Sequence, residues 1–111
     1  MSNLFDAQVI AELKEIMGDD IDFLLETFAA DSRVKIKELS VVIEEKNAED
    51  IRRVAHSIKG SSKNVGAKAL ADLCETLEQQ AREGKLEESN ELLAQIVDML
   101  ELTLKSLSEQ F

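Results

Sequence analysis

Ile51-Arg52-Arg53-Val54-Ala55-His56-Ser57-Ile58-Lys59-Gly60-Ser61-Ser62-Lys63-Asn64-Val65-Gly66 is the stretch on which the reading of this chain turns. Ile51, Val54, Ala55, Ile58, Ser62 and Val65 follow the i, i+3, i+4, i+7 spacing of an amphipathic helix. At about 100° per residue these positions fall within roughly 50° of one direction, and His56 points roughly 140° away from it. Arg52, Lys59 and Lys63 stand at i−4, i+3 and i+7 from His56 and share its outer face, as does Gly60 at i+4. His56 is the only histidine in the chain. Extended to Lys68, the stretch holds five of the 13 basic residues, and no acid lies between Ile51 and Ala71. The chain carries −10, so this window is +5 and the remainder −15.

Gly60 is the second signal. Glycine inside a helix costs about 1 kcal/mol relative to alanine. Close helix packing is the ordinary reason to tolerate it, but Gly60 lies opposite the apolar stripe. The alternative is clearance, with a missing side chain leaving the imidazole open to a bulky visitor. Ser61 and Ser62 sit nearer the inner face, where small residues let a neighbouring helix approach.

Outward from this stretch the chain reads as helices throughout. Asp6 is the expected N-cap of a first short helix, with Phe5 and Ile10 as a hydrophobic staple. Val9, Ile10, Leu13, Ile16 and Met17 form its apolar side, and Gly18 stops it. Asp19 or Asp20 is expected to cap a second helix running to about Lys46, with Ile21, Leu24, Leu25, Phe28, Ser32, Ile36, Leu39 and Ile43 in one stripe. Asn47 caps the third helix, with Asp50 in a capping-box-like role, and that helix ends near Val65-Gly66. A fourth runs from about Ala67 to Glu83 on a seam of Leu70, Leu73, Cys74, Leu77 and Ala81, with Gly84 just beyond its end. A fifth runs from near Glu87 to about Glu109, with Leu93, Ile96, Val97, Leu100, Leu104 and Leu107 facing inward. Short connections imply antiparallel neighbours. The fold class is therefore all-α, an antiparallel up-down-up-down four-helix bundle with a short N-terminal lid helix. At 111 residues without proline, tryptophan or tyrosine, residues 1–111 are one domain.

Composition excludes several functions. No apolar run approaches the roughly 20 residues of a membrane span, and the N-terminus lacks a signal-peptide pattern, so a cytoplasmic location is expected. A net charge of −10 argues against nucleic acid as a partner, and the basic island has no aromatic residue for base stacking. One cysteine cannot form an internal disulfide; Cys74, on an apolar seam, reads as a buried structural thiol. A metal site would need ligands beyond the single histidine. A Ser-His-Asp arrangement would need an acid near His56, whose face carries cations instead. Those cations favour the neutral imidazole that nucleophilic attack requires, and they suit a phosphorylated product. No Walker A loop is present, and no acidic cluster beside His56 offers magnesium a site. By position and composition alone, His56 reads equally as an ordinary surface histidine.

His56-Ser57-Ile58-Lys59-Gly60-Ser61-Ser62, followed by Val65-Gly66-Ala67, resembles the signature of histidine-containing phosphotransfer (HPt) domains. The resemblance extends to Phe23-Leu24-Leu25-Glu26-Thr27-Phe28, Asn47-Ala48-Glu49-Asp50 and Leu70-Ala71-Asp72-Leu73-Cys74-Glu75-Thr76-Leu77-Glu78. It covers roughly Met17 to Glu83 and, more loosely, the final helix. It implies a four-helix bundle acting as a passive intermediate in a two-component phosphorelay. His56 is then the phosphoryl acceptor through Nε2, Lys59 steadies the phosphoryl group and Gly60 gives clearance. Arg52, Arg53 and Lys63 form a docking rim. The implied partners are response-regulator receiver domains and a hybrid sensor histidine kinase. The receiver, not this chain, supplies the phospho-aspartate and Mg²⁺, and no cofactor is expected here.

Two other readings set the comparison. One is a helical adaptor whose basic island docks an acidic partner, with His56 incidental. The other is a self-phosphorylating kinase fragment, which would need a nucleotide site and a hydrophobic dimer face. All the apolar stripes are expected to be used internally, so a monomer is expected. Met1 favours a free-standing chain over a segment of a hybrid kinase.

Overall fold

The computed structural model describes residues 4–111. Met1, on which the reading of a free-standing chain rests, lies outside the described residues. Five α-helices follow in order: α1 (Ala7–Met17), α2 (Ile21–Glu44), α3 (Ala48–Asn64), α4 (Lys68–Arg82) and α5 (Ser89–Leu107). Short 3₁₀ turns at Gly18–Asp20 and Ser108–Gln110 join α1 to α2 and close the chain. The 24 residues of α2 span about 36 Å at 1.5 Å per residue, close to the molecule's long dimension of 41 Å.

Interhelical contacts give the direction of each neighbour. Arg53 on α3 pairs with Glu38 on α2, while Ser61, two turns on, meets Lys35, earlier in α2. His56 meets Glu78 on α4, and Lys59, later in α3, meets Glu75, earlier in α4. Rising numbers on α3 thus match falling numbers on both flanking helices, so α3 is antiparallel to α2 and α4. Arg33 to Glu101 ties α2 to α5 and closes the bundle. Leu39, Ile51, Ile58, Leu70, Leu77, Ile96 and Leu100 fill its centre, each almost fully buried.

The helix ends follow local chemistry. Asp6 Oδ1 accepts from the backbone N–H of Gln8 at 3.0 Å and of Val9 at 3.2 Å. Asn47 Oδ1 accepts from the Asp50 N–H at 3.1 Å. Asp50 does not return the bond to the Asn47 backbone but accepts from its side-chain amide. Three helices close in the same six-residue motif, with a left-handed residue just past the end. These residues are Lys46 after α2, Gly66 after α3 and Gly84 after α4, at φ 54°, 76° and 74°. Gly66 also receives the N-terminal segment. Its carbonyl accepts from the Asp6 N–H at 2.8 Å, and a Cβ on it would lie 3.1 Å from Ile10 Cδ1. The lid helix is thereby fastened at the α3–α4 corner.

Three expectations need correction. Neither Asp19 nor Asp20 caps α2 through its side chain, because both lie in the 3₁₀ turn that carries the chain from α1 into α2. Val97 is at the surface, because Leu92, Ile96, Leu100, Thr103 and Leu107 define the buried line of α5 and Val97 is rotated about 100° from Ile96. The apolar residues are not all used internally. Ile16, Phe23 and Val34 are about three-quarters, three-quarters and two-thirds exposed, and Val41 is exposed as well. Phe23, Val34 and Val41 share the outer side of α2, opposite Phe28, Ser32, Leu39 and Ile43.

Candidate functional site

The inner stripe of α3 is buried as its spacing requires: Ile51, Val54, Ala55, Ile58 and Ser62 are each at most 1% exposed. The same rotation turns His56 outward, with 62% of its side chain exposed. Gly60, one turn on, is exposed, and a Cβ placed on it would meet no atom within 4 Å. Packing does not account for this glycine. Ser62 is buried, and its hydroxyl donates to the Ile58 carbonyl at 2.7 Å, which satisfies it within its own helix.

The expectation of an acid-free face around His56 is overturned. Glu78 reaches across from α4, and its Oε2 lies 3.0 Å from His56 Nδ1. Glu78 is only 1% exposed, and a buried carboxylate persists only with partners. It has three. Beside the ring, Arg82 Nη2 donates to the same Oε2 at 3.0 Å, and Lys59 Nζ pairs with Oε1 at 2.7 Å. Burial pushes the Glu78 carboxyl up, but Lys59 and His56 outweigh it and hold the group below its ordinary range. An ionised carboxylate only accepts hydrogen bonds. Nδ1 of the neutral imidazole therefore carries the proton, and the lone pair sits on Nε2. Among the described residues nothing is hydrogen-bonded to Nε2. The result is an exposed ring held at Nδ1 by a buried anion, with Nε2 left unpartnered among the described residues.

Lys59 does not stand free on the outer face. Its ammonium lies between Glu78 and Glu75, the latter at 3.0 Å, and only 14% of its side chain is exposed. Hydrogen bonds to Glu78 and then Glu75 raise its pKa and keep it charged. Arg52 is paired with Glu49 one turn back. Arg53 is paired with Glu38 at 2.9 Å and Asp50 at 3.6 Å. Lys63 is exposed and has no ion pair among the described residues. Arg52, Lys59 and Lys63 do line one side of α3, but the acids of α2 and α4, and Glu49 and Asp50 on α3 itself, temper the basic island. Cys74 is buried as expected, and burial, reinforced by the Glu78 charge, pushes its thiol up to about 12, which leaves it inert.

Glu78, Glu75 and Arg82 are the residues the sequence reading left without a role. A signal for the first was present. Glu78 follows Cys74 by four and lies between Leu77 and Ala81, on the buried side of α4. An acid on an apolar seam must find cations.

Comparison with known proteins supplies independent findings. A model of the Hpt domain family matches residues 24–106. The fold is similar to the crystal structure of histidine-containing phosphotransfer protein B (HptB) from Pseudomonas aeruginosa PAO1, with a TM-score of 0.93 and 33% sequence identity over 99% of this chain and 96% of that one. A search among curated proteins gives no match.

Proposed function

The chain belongs to the Hpt domain family and has a histidine-phosphotransfer role in a phosphorelay, and from that premise we propose that His56 is the residue that carries the phosphoryl group. The observation that carries the proposal is the 3.0 Å contact of His56 Nδ1 with buried Glu78, which leaves Nε2 of this exposed side chain as the free ring nitrogen, one turn from the open space at Gly60. The Nε2 lone pair forms the N–P bond as the P–O bond to a receiver aspartate breaks, and that electron pair returns to the aspartate carboxylate. The ring becomes positive as the bond forms, and the Nδ1–H donated to Glu78 stabilises that charge. Transfer onward to a second receiver is the reverse of this step.

Each remaining residue takes a positional role in the proposal. Lys59 steadies the phosphoryl oxygens from one turn away. Gly60 keeps the approach clear for a receiver. Arg52, Arg53 and Lys63 form the docking rim. The ion pairs of Arg52 and Arg53 are with exposed acids and are screened by solvent, so an acidic receiver face can compete for them. The receiver brings the phospho-aspartate and Mg²⁺, and a hybrid sensor kinase stands upstream. We place the domain in the cytoplasm as a monomer. No described helix is long and apolar enough to cross a membrane.

Incubation with a phosphorylated receiver domain tests the assignment. The expected result is an acid-labile, base-stable label on the wild-type chain, none on His56→Gln with its helical circular dichroism intact, and none with ATP and Mg²⁺ alone. Labelling of folded His56→Gln would refute it.

A further inference from the structure

We propose that Glu75 is a positioning residue that holds Lys59 back from the phosphoryl site and so sets how the phosphoryl group divides between a receiver and this domain. The inference rests on His56 being the acceptor. Lys59 stands three residues from the acceptor along α3, yet its ammonium is already shared by two carboxylates of α4. Glu75 Oε1 is at 3.0 Å and Glu78 Oε1 at 2.7 Å. The ammonium donates a hydrogen bond to Glu75 and is held by the charge of Glu78, so a phosphoryl oxygen must compete with two carboxylates for it. Lys59 and Arg82 balance the charges of Glu75 and Glu78, so a phosphoryl group, which brings about two negative charges, meets no spare cation in this cluster.

The two carboxylates differ in what release would cost. The Glu78 side chain is 2% exposed and holds His56 and Arg82 on its other oxygen. Freed of its cations it would be a buried anion without compensation, so it keeps Lys59. The Glu75 side chain is 51% exposed and can exchange the ammonium for water. No hydrogen bond or ion pair other than that to Lys59 holds its carboxylate among the described residues. Glu75 is therefore the half of the clamp that opens. As the N–P bond forms on Nε2, Lys59 trades Glu75 for a phosphoryl oxygen and stays anchored by Glu78. This exchange makes and breaks no covalent bond. What it changes is the free energy of the phosphorylated state, because Glu75 competes with the phosphoryl group for one ammonium. A domain with a weaker competitor holds its phosphoryl group more tightly and releases it less readily. The presence of Glu75 biases this domain toward passing the group on.

The experiment uses the full chain and a receiver domain phosphorylated with acetyl phosphate and then freed of donor. The ratio of phosphohistidine to phospho-aspartate is read at equilibrium for wild type, Glu75→Gln, Glu75→Asp, Lys59→Ala and the Glu75→Gln/Lys59→Ala double variant. Glu75→Gln is expected to shift the ratio toward His56 by about two- to five-fold, the range that exposed ion pairs set. Glu75→Asp, which keeps the charge, is expected to return most of the way to wild type. In the Lys59→Ala background the glutamine substitution is expected to have no effect, as a double-mutant cycle requires of residues that act through each other. An unchanged ratio in Glu75→Gln overturns the inference and leaves the acceptor assignment standing. An equal shift with and without Lys59 also overturns it, because the effect would then be one of overall charge. Absence of label on wild-type His56 would remove the acceptor assignment, and this inference with it.

Discussion

Gly60 separates function from fold more sharply than any other position. It lies inside α3 with an ordinary helical backbone, since only Gly18, Gly66 and Gly84 among the glycines have positive φ. A Cβ there would touch nothing within 4 Å. The helix-propensity difference is then undiluted by steric conflict, so Gly60→Ala should stabilise the domain by about 0.8–1 kcal/mol. For a domain of this size that raises the thermal midpoint by about 3–6 °C. Gly60→Gln retains most of this gain, because glutamine ranks near the good helix formers. It also plants a long side chain at i+4 from His56, where Cβ atoms are about 5–6 Å apart. That side chain covers the approach to Nε2, and transfer from a receiver should fall at least about tenfold, equivalent to about 1.4 kcal/mol in the barrier. Alanine adds one methyl group and should slow transfer only slightly. Thermal unfolding by circular dichroism and receiver-to-His56 transfer rates, measured on the same preparations, decide the matter. If glutamine leaves the transfer rate unchanged, clearance is not why glycine stands here. If either variant melts well below wild type, the placement of Gly60 on an open face is wrong.

The Glu78 carboxyl is held low in the folded protein, so it binds fewer protons than in the unfolded chain at acid pH. Its contribution to stability is complete above the ordinary carboxylate value of 4.5 and is lost as the pH falls through the lower folded value. Glu78→Gln should therefore flatten the acid side of a stability-versus-pH curve and cost about 1–2 kcal/mol at neutral pH through lost charge-assisted contacts; an acid limb as steep as that of wild type would contradict this. Gly66→Ala should destabilise by about 1.5–3 kcal/mol, from a left-handed backbone and pressure on Ile10, whereas Lys46→Gly should gain up to about 1 kcal/mol by relieving the same backbone conformation after α2. Urea unfolding of the two variants checks both signs, and equal midpoints would refute the reasoning.

Local rules make much of this molecule legible in its sequence. Helix number, order and faces follow from a 3.6-residue period, and Asp6, Asn47, Gly66 and Gly84 mark ends by chemistry confined to a few neighbouring residues. The same period turned Ile58 inward and His56 outward and put Gly60 and Lys59 on the histidine's side. Where the structure departs from these local rules, a long-range or competing interaction decides. Val97 lost its inward place to Leu100 and Ile96 because α5 presents one narrow line to its neighbours. Asp19 and Asp20 entered a 3₁₀ turn because α1 runs almost directly into α2.

By itself, then, the sequence determined that the protein is a helical bundle whose third helix turns His56, Gly60, Arg52, Lys59 and Lys63 away from its apolar stripe. A helical wheel contains one helix, so it could say which way His56 points but not what stands opposite. Only the packing of α3 against α4 decided that Glu78 lies behind the imidazole, that Arg82 and Lys59 share its charge, and that Glu75 competes for Lys59. The reason is physical. Side-chain direction is set by the backbone of a few adjacent residues, whereas the electrostatics of an imidazole are set by whatever charge lies within a few ångströms, here on a helix 22 residues further along the chain.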